Sequence, residues 1–88
     1  MAWTIEYTET SRRQLKKLDR QVARRMVDFM DQRVAKAKDP RSLGKALSGV
    51  LGAFWRYRVG DYRIIVSIED KRIRILVVAI GNRREVYR

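Results

Sequence analysis

Apolar and polar positions alternate from Trp55 to Val66, interrupted only by Gly60-Asp61. Period-2 alternation on both sides of two residues that tolerate positive φ is the pattern of a β-hairpin with a tight turn. With that turn, Val59 faces Tyr62, Arg58 faces Arg63, Tyr57 faces Ile64, Arg56 faces Ile65 and Trp55 faces Val66. Trp55, Tyr57, Val59, Tyr62, Ile64 and Val66 then share a face suited to a core, and Arg56, Arg58 and Arg63 share the other. Like charges directly opposite in a sheet destabilise it by up to about 1 kcal/mol. Fold stability therefore gives no reason for the arginine face, whereas an anion held between the arginines does.

The same reading places the other elements. Trp3, Ile5 and Tyr7 alternate with Thr4 and Glu6 and predict a half-buried first strand. A short helix over about 10 to 18 follows, with Thr8, Thr10 and Ser11 as candidate N-caps and Leu15 and Leu18 as its apolar stripe. Asp19 caps a longer helix over about 20 to 37, in which Val22, Met26, Phe29, Met30, Val34 and Ala37 recur at helical spacing. Its Met and Phe stripe is read as core packing against the sheet, and Lys38-Asp39-Pro40 ends it. Residues 38 to 52 read as an ordered connection anchored by Leu43, Leu47 and Leu51, long enough to carry function.

A second hairpin follows the first. An Asp70-Lys71 tip pairs Ile68 with Ile73, Val66 with Ile75 and Ile64 with Val77. That register sets Arg74 by Ser67, Leu76 by Ile65 and Val78 by Arg63, so the arginine face also carries apolar area that a partner chain would cover. The expectation is an α+β fold in a single domain spanning residues 1–88. An N-terminal strand and a two-helix hairpin precede a three-stranded antiparallel meander, forming one sheet with the helices packed on one face. The last strand runs antiparallel to the middle one, which brings Arg83, Arg84 and Tyr87 toward Arg58 and Arg63.

Composition narrows the chemistry. Eighty-eight residues make one small domain, with room for one sheet and a helical layer. Lys and Arg together number 21 against 10 acidic residues, a formal charge of +11 distributed along the chain. A polyanion is the implied partner. No apolar run approaches the roughly 20 residues of a membrane span, and no secretory signal pattern opens the chain, so no membrane association and a cytoplasmic location are expected. Neither Cys nor His occurs, which removes thiolate nucleophiles, the usual zinc ligands and imidazole acid–base pairs. The carboxylates are scattered, unlike those of a two-metal nuclease. No cofactor and no metal is expected, and the chemistry falls to Arg, Lys, Tyr or a lone carboxylate.

Guanidinium forks match phosphate oxygens and remain charged at working pH. Several around one phosphate would stabilise the added charge of a pentacoordinate transition state, while a ring such as that of Tyr87 stacks on a base. RNA carries its own nucleophile, the 2′-hydroxyl, so the protein has only to orient the nucleotide, stabilise charge and move two protons. Lys45 in the long connection can reach the same anion. On the first helix Arg12, Arg13, Lys16 and Lys17, and on the second Arg20, Arg24 and Arg25, form either a phosphate-binding surface or a solvated face.

Several of these features in order are similar to the RelE branch of the RelE/ParE toxins of bacterial and archaeal toxin–antitoxin pairs. They are the strand and two helices, Leu47 to Gly49, the basic-aromatic strand, Gly60-Asp61-Tyr62-Arg63, and the closing Gly81-x-Arg83 with Glu85-Val86-Tyr87. The resemblance implies a ribosome-dependent endoribonuclease that cuts mRNA in the ribosomal A site, between codon positions two and three, by 2′-hydroxyl attack. It leaves a 2′,3′-cyclic phosphate and a 5′-hydroxyl. By position, the resemblance makes Arg63 the residue that stabilises the transition state, Arg83 the one that protonates the leaving oxygen and Tyr87 the one that stacks on the nucleotide. Arg58 joins them as a candidate catalytic residue, and Arg56, Lys45, Arg84, Arg12, Arg13, Lys16 and Lys17 are candidate RNA-binding residues.

Arg56 and Arg58 stand where the best-studied members carry lysines, one of them a proposed general base, and arginine is a poor base. Tyr87 or Glu85 takes that proton, or the site acts by electrostatics and positioning. The chain ends one residue past Tyr87, so the C-terminal helix of some relatives is expected to be missing. The resemblance also implies a cognate RelB-like antitoxin, acidic and partly disordered, in a toxin–antitoxin hetero-oligomer, with mRNA and rRNA as the other partners. The alternatives are a ParE-like toxin that inhibits DNA gyrase and a non-catalytic nucleic-acid-binding module.

Overall fold

Among the residues described by the computed structural model, 2–47 and 53–82, five strands form one sheet. In chain order the elements are β1 (Thr4–Tyr7), α1 (Glu9–Lys17), α2 (Arg20–Asp28), β2 (Lys45–Ala46), β3 (Trp55–Val59), β4 (Tyr62–Glu69) and β5 (Arg74–Asn82). The sheet order is β1-β5-β4-β3-β2, with β1 parallel to β5 and every other pair antiparallel. The α+β class and the meander β3-β4-β5 are as expected. The short edge strand β2 and the parallel seat of β1 were not foreseen.

Both helix starts follow from local chemistry. Thr8 is the cap of α1, its hydroxyl accepting from the Ser11 amide at 3.1 Å, and the Asp19 carboxylate caps α2 by accepting from the Gln21 amide at 3.1 Å. The longer helix departs from the expected regular run to residue 37. It is α-helical to Asp28 and then π-helical over Phe29–Val34, closed by the Ala35 amide donating to the Met30 carbonyl at 2.8 Å. Met30, Val34 and Ala35 are buried there, and Ala37 is only half-buried. The Trp3 amide donates to the Ala35 carbonyl at 2.8 Å, tying the helix end to the strand that begins the chain.

Met26, Met30 and Val34 pack on Tyr57, Val59, Ile64, Val66, Ile75, Val77 and Ile80, with Leu15, Leu18, Val22, Phe29, Trp55 and Tyr62 around them. Each large apolar side chain so buried contributes on the order of 1.5–3 kcal/mol, which pins the helical layer to one face. The opposite face holds the arginines.

The β3-β4 register agrees with the sequence pairing at all five positions, from Val59↔Tyr62 to Trp55↔Val66. The β4-β5 register does not. Ile68 pairs with Ile75, not Ile73, and Val66 pairs with Val77, not Ile75, because Asp70–Arg72 forms a 3-10 turn ended by Ile73 in the left-handed region (φ 49°). The loop is two residues longer than a tight hairpin, so every core residue keeps its face. A bulge between Ile65 and Val66 then shifts the register once more, pairing Ile64 with Ile80, Ile65 with Ala79 and Arg63 with Gly81. The expected Leu76–Ile65, Val78–Arg63 and Arg74–Ser67 neighbours are therefore replaced by Ser67↔Leu76, Arg63↔Gly81 and Glu69↔Arg74. Ile65 is 6% exposed within the chain itself, so it does not form the open apolar strip the sequence implied.

Candidate nucleic-acid site

Two cross-strand pairs of like charge lie on the arginine face. Lys45 of β2 is opposite Arg56 of β3, and Arg58 of β3 is opposite Arg63 of β4. They line a cleft of about 520 Å³ whose described wall consists of Ser42, Leu43, Gly44, Lys45, Arg56, Arg58 and Arg63. Four cations and no carboxylate are among its described lining residues, which suits an anion of more than one charge. Arg63 is 7% exposed, with its Nε buried, while Arg58 is exposed. A cation withdrawn from water interacts more strongly with a bound anion than a surface one does.

The wall opposite the strands is a turn held from several sides. Pro40–Leu43 forms a 3-10 turn, with the Asp39 carboxylate accepting from the Arg41 amide at 3.0 Å. The Ser42 hydroxyl donates to the Asp39 carbonyl at 2.7 Å, and the buried Tyr57 hydroxyl donates to the Pro40 carbonyl at 2.7 Å. Burial pushes the Tyr57 phenol well above its usual range. Arg41 forks onto Asp70 at 3.0 and 2.6 Å and lies 5.8 Å over the Trp55 ring. The hydrogen bond from Arg41 holds the Asp70 carboxyl below its usual range.

At the far end of the same face two cations, Arg72 and Arg74, meet two carboxylates, Glu6 and Glu69, with Arg72 3.9 Å from Glu69. Arg74 donates to Glu6 at 2.6 Å and forks onto Glu69 at 3.0 and 2.9 Å, joining β1, β5 and β4. Those hydrogen bonds raise the Arg74 pKa. Arg63 and Glu69 are six residues apart on β4, roughly 20 Å at strand rise. The face thus runs from a neutralised end to a cationic one, and an anion is drawn to the Arg58–Arg63 end.

Of the residues singled out from sequence, Lys45, Arg56, Arg58 and Arg63 come together in the cleft. Arg83, Arg84, Glu85 and Tyr87, and Gly49 and Leu51 of the connection, lie outside the described residues. Arg12, Arg13, Lys16 and Lys17 are exposed on α1 in the helical layer and are not part of the described cleft wall; Arg13 pairs with Glu9 at 3.6 Å. Arg25 of α2 reaches the hairpin tip, its guanidinium packing against Gly60. Sequence reasoning missed Ser42, Leu43 and Gly44 as cleft wall. The one available signal was Asp39-Pro40 starting a turn that ends at a glycine next to Lys45. No helix among the described residues is long and apolar enough to cross a membrane.

Comparison with known proteins agrees with this architecture. The family model described as the ParE toxin of type II toxin–antitoxin system, parDE, matches residues 5–87. The chain is 28% identical over 88 residues to toxin RelG of Mycobacterium tuberculosis, covering 100% of this chain and 99% of that protein. It is 31% identical over 84 residues to toxin RelE of the same organism, covering 96% and 84%. Its fold superposes on the RelBE2 toxin–antitoxin complex of M. tuberculosis with a TM-score of 0.87 at 26% identity, covering 97% of this chain and 95% of that one. An α+β chain with a cationic cleft on the open face of its sheet, matched over nearly its whole length, belongs to the RelE/ParE family of toxins of type II toxin–antitoxin systems.

Proposed function

We propose that this toxin is a ribosome-dependent endoribonuclease that inhibits translation by cutting mRNA in the A site. The observation that carries the reading is the cleft itself, which brings four cations together by setting Lys45 across from Arg56 and Arg58 across from Arg63. The scissile phosphate sits among these cations. The 2′-hydroxyl oxygen attacks the adjacent phosphorus, its proton leaves to a base, and the bond to the 5′ oxygen breaks as that oxygen takes up a proton. A 2′,3′-cyclic phosphate and a 5′-hydroxyl result. Arg63, nearly buried, stabilises the charge that grows on the phosphoryl oxygens, and Arg58 and Arg56 hold the flanking backbone. Arg83 supplies the proton to the leaving oxygen and Tyr87 stacks on the nucleotide, roles that rest on the family resemblance. Because arginine is a poor base, most of the rate enhancement comes from orientation and charge stabilisation.

An acidic RelB-like antitoxin neutralises the toxin by covering Arg58 and Arg63 and, as the family resemblance implies, Tyr87; the likeness to a RelBE2 complex supports such a partner. A second reading is favoured by the matched family model, whose description names ParE: a toxin that inhibits DNA gyrase and leaves RNA intact. Mapping the 3′ ends of an mRNA on programmed ribosomes, with the same mRNA free in solution as control, separates the two. Cutting after the second A-site nucleotide on ribosomes only is the expected result. Intact mRNA together with inhibited supercoiling assigns the chain to the ParE-like reading.

A further inference from the structure

The cleft wall formed by Pro40–Leu43 and Gly44 sits against β3 without slack. A Cβ at Gly44 would lie 2.3 Å from the Arg56 carbonyl oxygen and 2.9 and 3.0 Å from the Tyr57 ring carbons Cδ1 and Cε1. Gly44 has φ −139° and ψ −165°, an extended conformation open to any residue, so what excludes a side chain is the closeness of β3. From the other side, the hydroxyl of the fully buried Tyr57 holds the Pro40 carbonyl at 2.7 Å, and the Phe29 ring lies tilted against the Tyr57 ring at 5.7 Å and 59°. The Gly44 amide donates to the Arg41 carbonyl at 3.2 Å, closing the turn immediately before Lys45. Lys45 is the residue that meets Arg56 across the sheet edge.

We propose that Gly44 and Tyr57 are positioning residues of the RNA cleft. They clamp the 40–44 turn onto β3, so that Lys45 is held across from Arg56 and Arg58 at a width that grips a single phosphodiester backbone. The inference rests on the cleft being the RNA site. Its physical content is a distance: returning a 2.3 Å contact to the ordinary range that begins at 3.4 Å requires the turn to move by about 1 Å. Displacements of about that size are enough to lose a positioned contact. The turn is closed internally, by the Ser42 hydroxyl and amide on the Asp39 carbonyl, the Arg41 amide on the Asp39 carboxylate and the Gly44 amide on the Arg41 carbonyl, so it moves as a unit and takes Lys45 with it.

The test is binding of a non-cleavable 2′-O-methyl RNA oligonucleotide across a salt titration, with folding followed by circular dichroism. The slope of log affinity against log salt counts neutralised phosphates, about 0.7 per contact for a single strand, and a merely structural residue does not change it. Gly44→Ala is expected to weaken binding about tenfold at ~0.1 M salt and to lower the slope by about 0.7, as Lys45→Ala does. The double variant is expected to lose no more than either alone. Because Gly44→Ala is the variant at risk of misfolding, Tyr57→Phe carries the test independently. It keeps the ring, releases the Pro40 carbonyl, and is expected to weaken binding about threefold with a slope shifted the same way. The proposal is overturned if Lys45→Ala lowers the slope while folded Gly44→Ala and Tyr57→Phe keep the wild-type slope, or if the double variant is additive. If Lys45→Ala, Arg56→Ala and Arg58→Ala all leave the slope unchanged, the cleft is not the RNA site and the inference falls together with the proposed function.

Discussion

Arg58 and Arg63 stand directly opposite one another across β3 and β4, yet they differ in their contact with water: Arg58 is exposed and Arg63 is 7% exposed. Two guanidinium groups in one row repel, and the row is retained beside a second like-charged row, Lys45 opposite Arg56. Removing the exposed member should therefore stabilise the fold while harming function. Arg58→Thr is expected to gain a few tenths to about 1 kcal/mol, a rise of a few degrees in Tm for a domain of this size. Its affinity for RNA should fall at the same time. Thermal melts and a binding titration on the same sample check both signs.

Tyr7 and Tyr57, two tyrosines of the core side, should respond in opposite ways to loss of their hydroxyls. The Tyr57 hydroxyl is bonded to the Pro40 carbonyl, so Tyr57→Phe leaves a buried acceptor without its donor and is expected to cost about 1–2 kcal/mol. The Tyr7 hydroxyl is buried with no hydrogen-bond partner among the described residues, so Tyr7→Phe should be neutral or slightly stabilising at pH 7. Burial, with a smaller contribution from Asp31, pushes the Tyr7 phenol up to about 12. The unfolded chain ionises this group near pH 10, so the folded state binds more protons between about pH 10 and 12 and stability falls as pH rises through that window. Urea titrations at pH 8 and 11 should show a smaller alkaline loss for Tyr7→Phe than for the wild type.

Acid should act on the turn that walls the cleft. The folded-state pKa of Asp70 is depressed by its hydrogen bond from Arg41, so its contribution is fully present above the unfolded carboxylate value of about 4 and is lost as pH falls through the lower folded value. Asp70 is exposed and the effect on stability is small. Asp70→Asn and wild type should differ in Tm near pH 6 and converge near pH 2. A difference that persists unchanged at low pH would show that the carboxylate charge is not what links Arg41 to the β4-β5 turn.

The hairpin tip depends on one backbone conformation. Gly60 has φ +59°, and the guanidinium of Arg25 packs on it from α2. Gly60→Ala places a side chain in the left-handed region at a cost of roughly 1–2 kcal/mol, and Gly60→Asn should cost less because asparagine visits that region more readily. Equilibrium denaturation of the two variants checks the order.

The first hairpin was legible because its turn residues and its alternation agree, which leaves one register that buries Tyr57, Ile64 and Val66 together. From that register the grouping of Arg56, Arg58 and Arg63 followed, and Lys45 was legible as a cation within reach. The second hairpin was misread at Ile73. A β-branched residue is disfavoured at positive φ, yet here it ends a 3-10 turn at φ 49°, a local cost overridden by burial of Ile75, Val77 and Ile80. The bulge at Ile65/Val66 left no mark in the apolar pattern, since Ala79 and Ile80 fit either face. The parallel pairing of β1 with β5 joins residues some 70 apart in sequence, which a local pattern does not carry, and the π-helical turn at Phe29–Val34 keeps the apolar spacing of an α-helix. The tight seat of Gly44 on Arg56 and Tyr57 is likewise invisible until β2 and β3 are side by side.

The most direct measurement is single-turnover cutting of mRNA on programmed ribosomes by wild type and Arg63→Ala, with ribosome binding measured on the same preparations. Arg63 is assigned to stabilising charge that appears only in the transition state, so its loss should lower the cutting rate by roughly 10²-fold or more while binding changes only a few-fold. Binding and cutting that fall in parallel would make Arg63 an anchor for RNA and contradict the catalytic assignment. Absence of cutting by a wild type that still binds would contradict the endoribonuclease reading as a whole.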